Sequence, residues 1–322
     1  AFRAASGPVC PDHLARSLKR GRTGLVAIVG ATASFPVREM RQHAAARAVT
    51  ASGYRAHLFE LAWASGRTAE WLHDVMSLRP EGILASEAVF PELIDGLRAI
   101  QARGTPVVGM DYAEGLEIDQ VYIDRERSGY LAAYHLASLG HRRIGYVISK
   151  GDGWYISERV KGFRRALDEA GISHDDGQVV HFTKVGDYYR TGYELAKGGL
   201  LAPGRFTGLA FLSDPLAIGA MRACAEEGVR VPHDISLVGA EGLPGIEYLP
   251  IPLTSVAWPV QDVAKRAVEF LVERIRGYDG SARVEKVQPR LDVRASSAPP
   301  GGTRGAASGA PGHAVPASVD GR

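Results

Sequence analysis

Three carboxyl side chains stand where parallel sheets present their ligands. Asp124 closes the apolar run VYID, Asp214 closes FLSD, and Glu241 follows ISLVGA. A carboxylate at the carboxyl end of a strand can accept two hydrogen bonds from neighbouring hydroxyls, as a sugar presents them. Asp124 and Asp214 also precede helical patterns, where a carboxylate serves equally well as an N-cap. Glu241 can be read as a binding group or as a solvated loop residue. Arg159, in SERVKG, lies near the start of a helix with Val160, Phe163 and Leu167 on its apolar face. A guanidinium there can pair with vicinal hydroxyls or a carboxylate, or simply face water. Phe35, in GATASFPV, and Trp154, in a glycine-bracketed loop, offer flat faces to a sugar ring or a base. Ordinary packing is the alternative for each.

Other chemistries find little support. No Walker loop, GxSxG elbow or HExxH motif is present, and the ten histidines show no ligand spacing. Paired carboxylates in a cleft can hydrolyse glycosides, but nothing fixes a second group or its separation. His141, in LGHRRI, reads as a hydrogen-bonded helix terminus. The expectation is a binding protein with no catalytic residue, no metal and no cofactor.

The elements that must position these residues form two series. Short β-rich runs at 24–29, 56–61, 82–86, 106–110 and 121–124 alternate with helical patterns, and a second series follows at 143–149, 178–182, 208–213, 235–240 and 253–258. Strands buried on both faces and separated by helices imply parallel βαβ units. Two series imply two doubly wound α/β lobes with a ligand cleft between them, at the carboxyl ends of the strands. The chain has 322 residues, enough for two cores. Its net charge of +2 makes any nucleic-acid contact a local matter. Two distant cysteines, Cys10 and Cys224, suit a reduced cytoplasmic protein. There is neither an apolar run of membrane length nor the continuous apolar core of a secretory signal.

Four segments together resemble the LacI/GalR family of transcription regulators. PDHLARSLKRGRTGLVAIV is similar to the family's hinge helix and first core strand, and VYIDRERSGYLAAYHLASLGHRRIGYV to its passage into the second lobe. SERVKGFRRALDEAGI and FLSDPLAIGAMRACAEEGVRVPHDISLVGAEGLPGIEYLPIPLTSVAWPV complete the likeness, which spans roughly residues 11–294. The resemblance implies a periplasmic-binding-protein-like fold with crossover strands. It also implies a division into a hinge-bearing segment 1–21, an N-terminal lobe of 22–136 plus 257–278, and a C-terminal lobe of 137–256 plus 279–294. The Gly, Ala, Pro and Ser of 295–322 read as a disordered tail.

That likeness adds Tyr188, aligned with a family aromatic beside the ligand, and Ser213, which replaces the usual Asn. Ser213, Ala240 and Glu241 depart from the common pattern, so a sugar is the first expectation and a purine-like or other small polar metabolite the second. On the DNA side the resemblance makes Leu18 a minor-groove wedge, with Arg16, Lys19, Arg20 and Arg22 at phosphates. A short amphipathic helix without that role is the alternative. The family's helix-turn-helix head has no counterpart in the sequence, so the expectation is a fragment of a complete regulator, with a headless relative that only binds ligand as the alternative. The implied partners are a small effector, operator DNA and a second copy in a homodimer, with no membrane. The rival expectation is the sugar receptor of a transport system.

Overall fold

The computed structural model describes residues 22–31, 35–61, 68–86, 91–151, 153–183 and 186–301. The hinge candidates Arg16, Leu18, Lys19 and Arg20, and the tail from 302 onward, lie outside the described residues.

Two six-stranded sheets share one topology. The first contains β1 (Leu25–Ala31), β2 (Arg55–Leu61), β3 (Gly82–Ala85), β4 (Val107–Gly109), β5 (Asp119–Ile123) and β11 (Val284–Val287), in the order β11-β5-β4-β3-β1-β2. All its pairings are parallel. The second contains β6 (Ile144–Ser149), β7 (Val179–Phe182), β8 (Gly208–Phe211), β9 (Ser236–Glu241), β10 (Thr254–Ala257) and β12 (Arg290–Asp292), in the order β12-β10-β9-β8-β6-β7. Only β12 runs antiparallel. Each run expected as a strand falls on one of β1 to β10.

Burial explains why these runs form strands. Along β1, Val26 and Ile28 belong to one apolar cluster while Ala27 and Val29 belong to another on the opposite face. All four are essentially inaccessible. A strand covered on both sides has no polar face, so its sequence is continuously apolar rather than alternating. Helices provide the cover. In the first lobe they are α1 (Pro36–Ala51), α2 (Thr68–Ser77), α3 (Pro91–Ala102) and α8 (Val260–Ile275). In the second they are α4 (Arg125–Ser138), α5 (Trp154–Glu169), α6 (Tyr188–Leu195) and α7 (Asp214–Glu226).

The expected boundaries need three corrections. Helix α4 packs on β6, β8, β9, β10 and β12, so the chain enters the second lobe near Asp124 rather than at 136/137. Its buried residues, among them Leu131 and Leu136, join the same apolar cluster as Ile144, Leu209 and Leu237 of the second sheet. The segment 279–294, expected whole in the second lobe, divides between them. Val284–Val287 pairs with β5 in the first sheet, and Arg290–Asp292 pairs with β10 in the second. Finally, residues 295–298 are not a tail. Ser296 is fully buried and its hydroxyl donates to the Leu237 carbonyl at 2.6 Å. The Thr254 N–H donates to that same hydroxyl. Small polar residues can satisfy strand-edge backbone groups as well as fill a linker, and composition does not distinguish the two.

Candidate effector site

A cavity of about 130 Å³ opens between the lobes. Its walls come from residues that follow strands of both sheets. Phe35 lies beyond β1, Asp111 beyond β4, Arg125 beyond β5, Leu212 beyond β8 and Trp258 beyond β10, while Glu241 ends β9. Tyr155 and Arg159 on α5, Tyr188 on α6, and Arg38 and Arg41 on α1 complete the polar and aromatic lining. Convergence of strand ends is what a doubly wound sheet is expected to present to a ligand.

The charges are arranged in depth. Asp111 is buried, and its Oδ2 accepts from Arg41 Nη1 at 3.1 Å and Arg125 Nη2 at 3.0 Å. Burial pushes that carboxyl up, but Arg125 and then Arg41 hold it below the usual carboxylate range. Arg125 is lowered to about 10, mainly by burial, and remains cationic at neutral pH. Its guanidinium sits 4.3 Å from the Trp258 ring centroid, and that of Arg159 sits 5.2 Å from the same centroid. Such cation–π contacts stabilise a buried guanidinium most where water is excluded. Glu241 is 7% exposed and its carboxyl lies well above its ordinary range. Burial is the main cause and Asp214 adds to it, while Arg159, Arg125 and Arg38 oppose. The backbone of Glu241 has φ of 102°, a left-handed value rare outside glycine. Such strain persists only where the surroundings dictate it, and it concentrates at functional sites.

Four of the eight expected residues line the cavity: Phe35, Arg159, Tyr188 and Glu241. Phe35 and Tyr188 meet across it with centroids 4.5 Å apart. The other four do not line it. Asp124 is the N-cap of α4, accepting from Arg127 N at 2.9 Å and from the Gln288 amide. Trp154 packs against Tyr112 and Tyr122, at 4.8 and 5.3 Å between centroids. Ser213 is buried at the start of α7, and its hydroxyl has no partner among the described residues. Asp214 is wholly buried behind the wall, where it accepts from Ser255 Oγ at 2.6 Å and Leu243 N at 2.8 Å. It thereby ties the turn after β9 to β10.

Sequence reasoning missed Arg41, Asp111, Arg125, Tyr155 and Trp258. A signal existed for three of them. Asp111, Arg125 and Trp258 each follow a strand by one or two residues, so the rule that found Glu241 reaches them as well. Nothing in the sequence around Arg41 marks it. On the DNA side, Arg22 is exposed and pairs with Glu81 Oε2 at 2.6 Å.

Two α/β lobes of like topology around a polar interlobe cleft define the periplasmic-binding-protein-like class, and residues 133–297 match the family described as a periplasmic binding protein-like domain. The HTH-type transcriptional repressor PurR of Vibrio atlanticus is 31% identical, over 70% of this chain and 67% of its own. PurR of Aliivibrio fischeri is 28% identical, over 89% and 85%. Among solved structures, a LacI family transcriptional regulator from Enterococcus faecium with bound ribose superposes with a TM-score of 0.73 at 25% identity, over 85% of this chain and 99% of its own. The chain belongs to the LacI/GalR family of transcription regulators and forms its effector-binding core. Among the described residues no helix is long and apolar enough to cross a membrane.

Proposed function

We propose that the chain senses a small polar effector in the interlobe cleft and passes its occupancy, as a homodimer acting in the cytoplasm, to hinge segments on operator DNA. The observation that carries this is the cavity itself, where Arg159 and Glu241 of the second lobe face Phe35 and Arg41 of the first. A ligand touching both lobes favours one lobe arrangement over another, and only such a preference shifts an equilibrium. The regulators among its relatives favour this reading over a transport receptor or an enzyme. A sugar is the first choice of effector, supported by the ribose in the Enterococcus faecium protein. A purine-like ligand is the second, favoured by the aromatic faces of Phe35, Tyr188 and Trp258.

The test is a thermal-shift screen of sugars and nucleobases, followed by calorimetry of any hit on the Arg159→Ala variant. Binding is expected to weaken at least tenfold, with the sedimentation coefficient of the assembly unchanged. Equal affinity in the variant removes Arg159 from the site.

A further inference from the structure

Among the described residues, the buried donors of the cleft exceed its buried acceptors. Arg125 and Arg159 are 4% and 3% exposed. Arg125 Nε and Nη1, Arg159 Nε and Trp258 Nε1 have no hydrogen-bond partner among the described residues. All four are pure donors. Arg159 donates to the Tyr155 carbonyl at 3.0 Å and forms no ion pair among the described residues. Arg41 and Arg125 share the one carboxylate of Asp111. Among the described residues the buried lining thus sets Arg41, Arg125 and Arg159 against Asp111 and Glu241, a cationic excess whichever form Glu241 takes. A buried guanidinium without a counter-ion is costly, and a ligand that supplies one relieves that cost. Neutral sugar hydroxyls donate as well as accept, so they match a mixed set of groups better than a donor-only set.

We infer that the effector carries an anionic group, a carboxylate or a phosphate, seated against Arg125 and Arg159 beside the Trp258 ring. This rests on the cleft being the effector site. Guanidinium forks match both anions in a bidentate manner, and the Trp258 N–H adds a further donor. The rest of the effector is then small, polar and carbohydrate-like in size.

Calorimetry on the full chain tests this with matched pairs: gluconate, glucuronate and glucose 6-phosphate against glucose, and ribose 5-phosphate against ribose. At least one anion is expected to bind tenfold or more tightly than its neutral parent and to weaken as NaCl rises. A preference confined to the acids identifies a carboxylate, and one confined to the esters a phosphate. Arg159→Gln, which disturbs no carboxylate pair, is expected to bring the anion down to the affinity of its parent. Arg125→Gln is expected to do the same, with Arg125→Lys retaining part of the preference. If glucose or ribose binds as well as the anions, the anionic assignment fails while the effector site stands. If no probe binds at millimolar concentration, both fail.

Discussion

Asp214 and His135 give the molecule opposing responses to pH. Burial pushes the Asp214 carboxyl up to about 7, against hydrogen bonds from Ser255, Leu243 and Gly242. Its folded value lies above that of the unfolded chain, so its contribution is complete in acid and is lost as pH rises through 7. His135 is 8% exposed, bonded to Ser297 Oγ at 2.8 Å, and lowered to about 4 by burial first and His141 second. Its contribution is complete above the ordinary value of 6.5 and is lost as pH falls toward 4. The two slopes oppose each other over that window, so one must be removed to reveal the other. His135→Gln is expected to cut the stability lost between pH 6.5 and 4.5 by about 2 kcal/mol, read from urea unfolding. An unchanged pH profile would show that His135 is not held neutral. Asp214→Asn places an amide where one oxygen accepts from Leu243 N, and is expected to cost about 1–3 kcal/mol at pH 5 and less at pH 8, by the same measurement.

Helix pairs α4/α5 and α6/α7 are built on facing glycines. A Cβ on Gly129 would sit 2.0 Å from the Arg159 carbonyl oxygen, and one on Gly162 would sit 1.8 Å from that of Glu126. The same device recurs in the other pair, with Gly192 against Leu216 and Gly219 against Tyr189 at 2.0 and 1.9 Å. Backbone against backbone leaves no side chain to yield, so the glycines set the spacing of helices that carry Arg125, Arg159 and Tyr188. Gly162→Ala raises helix propensity by about 1 kcal/mol and should stabilise a free helix. In the folded protein it is expected to destabilise by about 2 kcal/mol or more, because α5 must move away from α4. Effector affinity should fall with it as Arg159 shifts. A raised melting temperature with unaltered binding would contradict this packing.

Across the whole molecule the lobes are held by contacts that flank the cleft. The aromatic trio of Trp154, Tyr112 and Tyr122 joins α5 to the first lobe, and the Arg125–Asp111 ion pair lies at the cleft itself. Aromatic pairs of this kind contribute about 0.5–1.5 kcal/mol beyond their buried area. Trp154→Ala is therefore expected to bias the lobes toward separation, enlarging the radius of gyration in small-angle scattering. Effector affinity should drop several-fold, and saturating effector should restore the compact form. Equal scattering curves for the two proteins would mean that the trio packs locally without setting the lobe angle.

Some of this was written along the chain. Continuously apolar runs such as GILA (82–85) are strands covered on both faces, and strand ends bring their following residues to one edge, so Glu241 was legible as a cleft-side position. Arg159 was legible through the family pattern around it. Tertiary structure decided the rest, because partners far apart in sequence set what a polar residue does. Asp214 became a buried tie once Ser255 and Leu243 reached it, and Asp124 remained an N-cap. VEKV (284–287), half polar and largely exposed, gained a strand only by pairing with β5 at the edge of the first sheet. Ser296 became core because Leu237 and Thr254 needed its hydrogen bonds. Trp258 and Arg125, 133 residues apart in the chain, became one wall of a binding site. Local pattern fixes which face of an element is apolar, whereas the charge and reach of a cleft depend on which distant side chains are buried together.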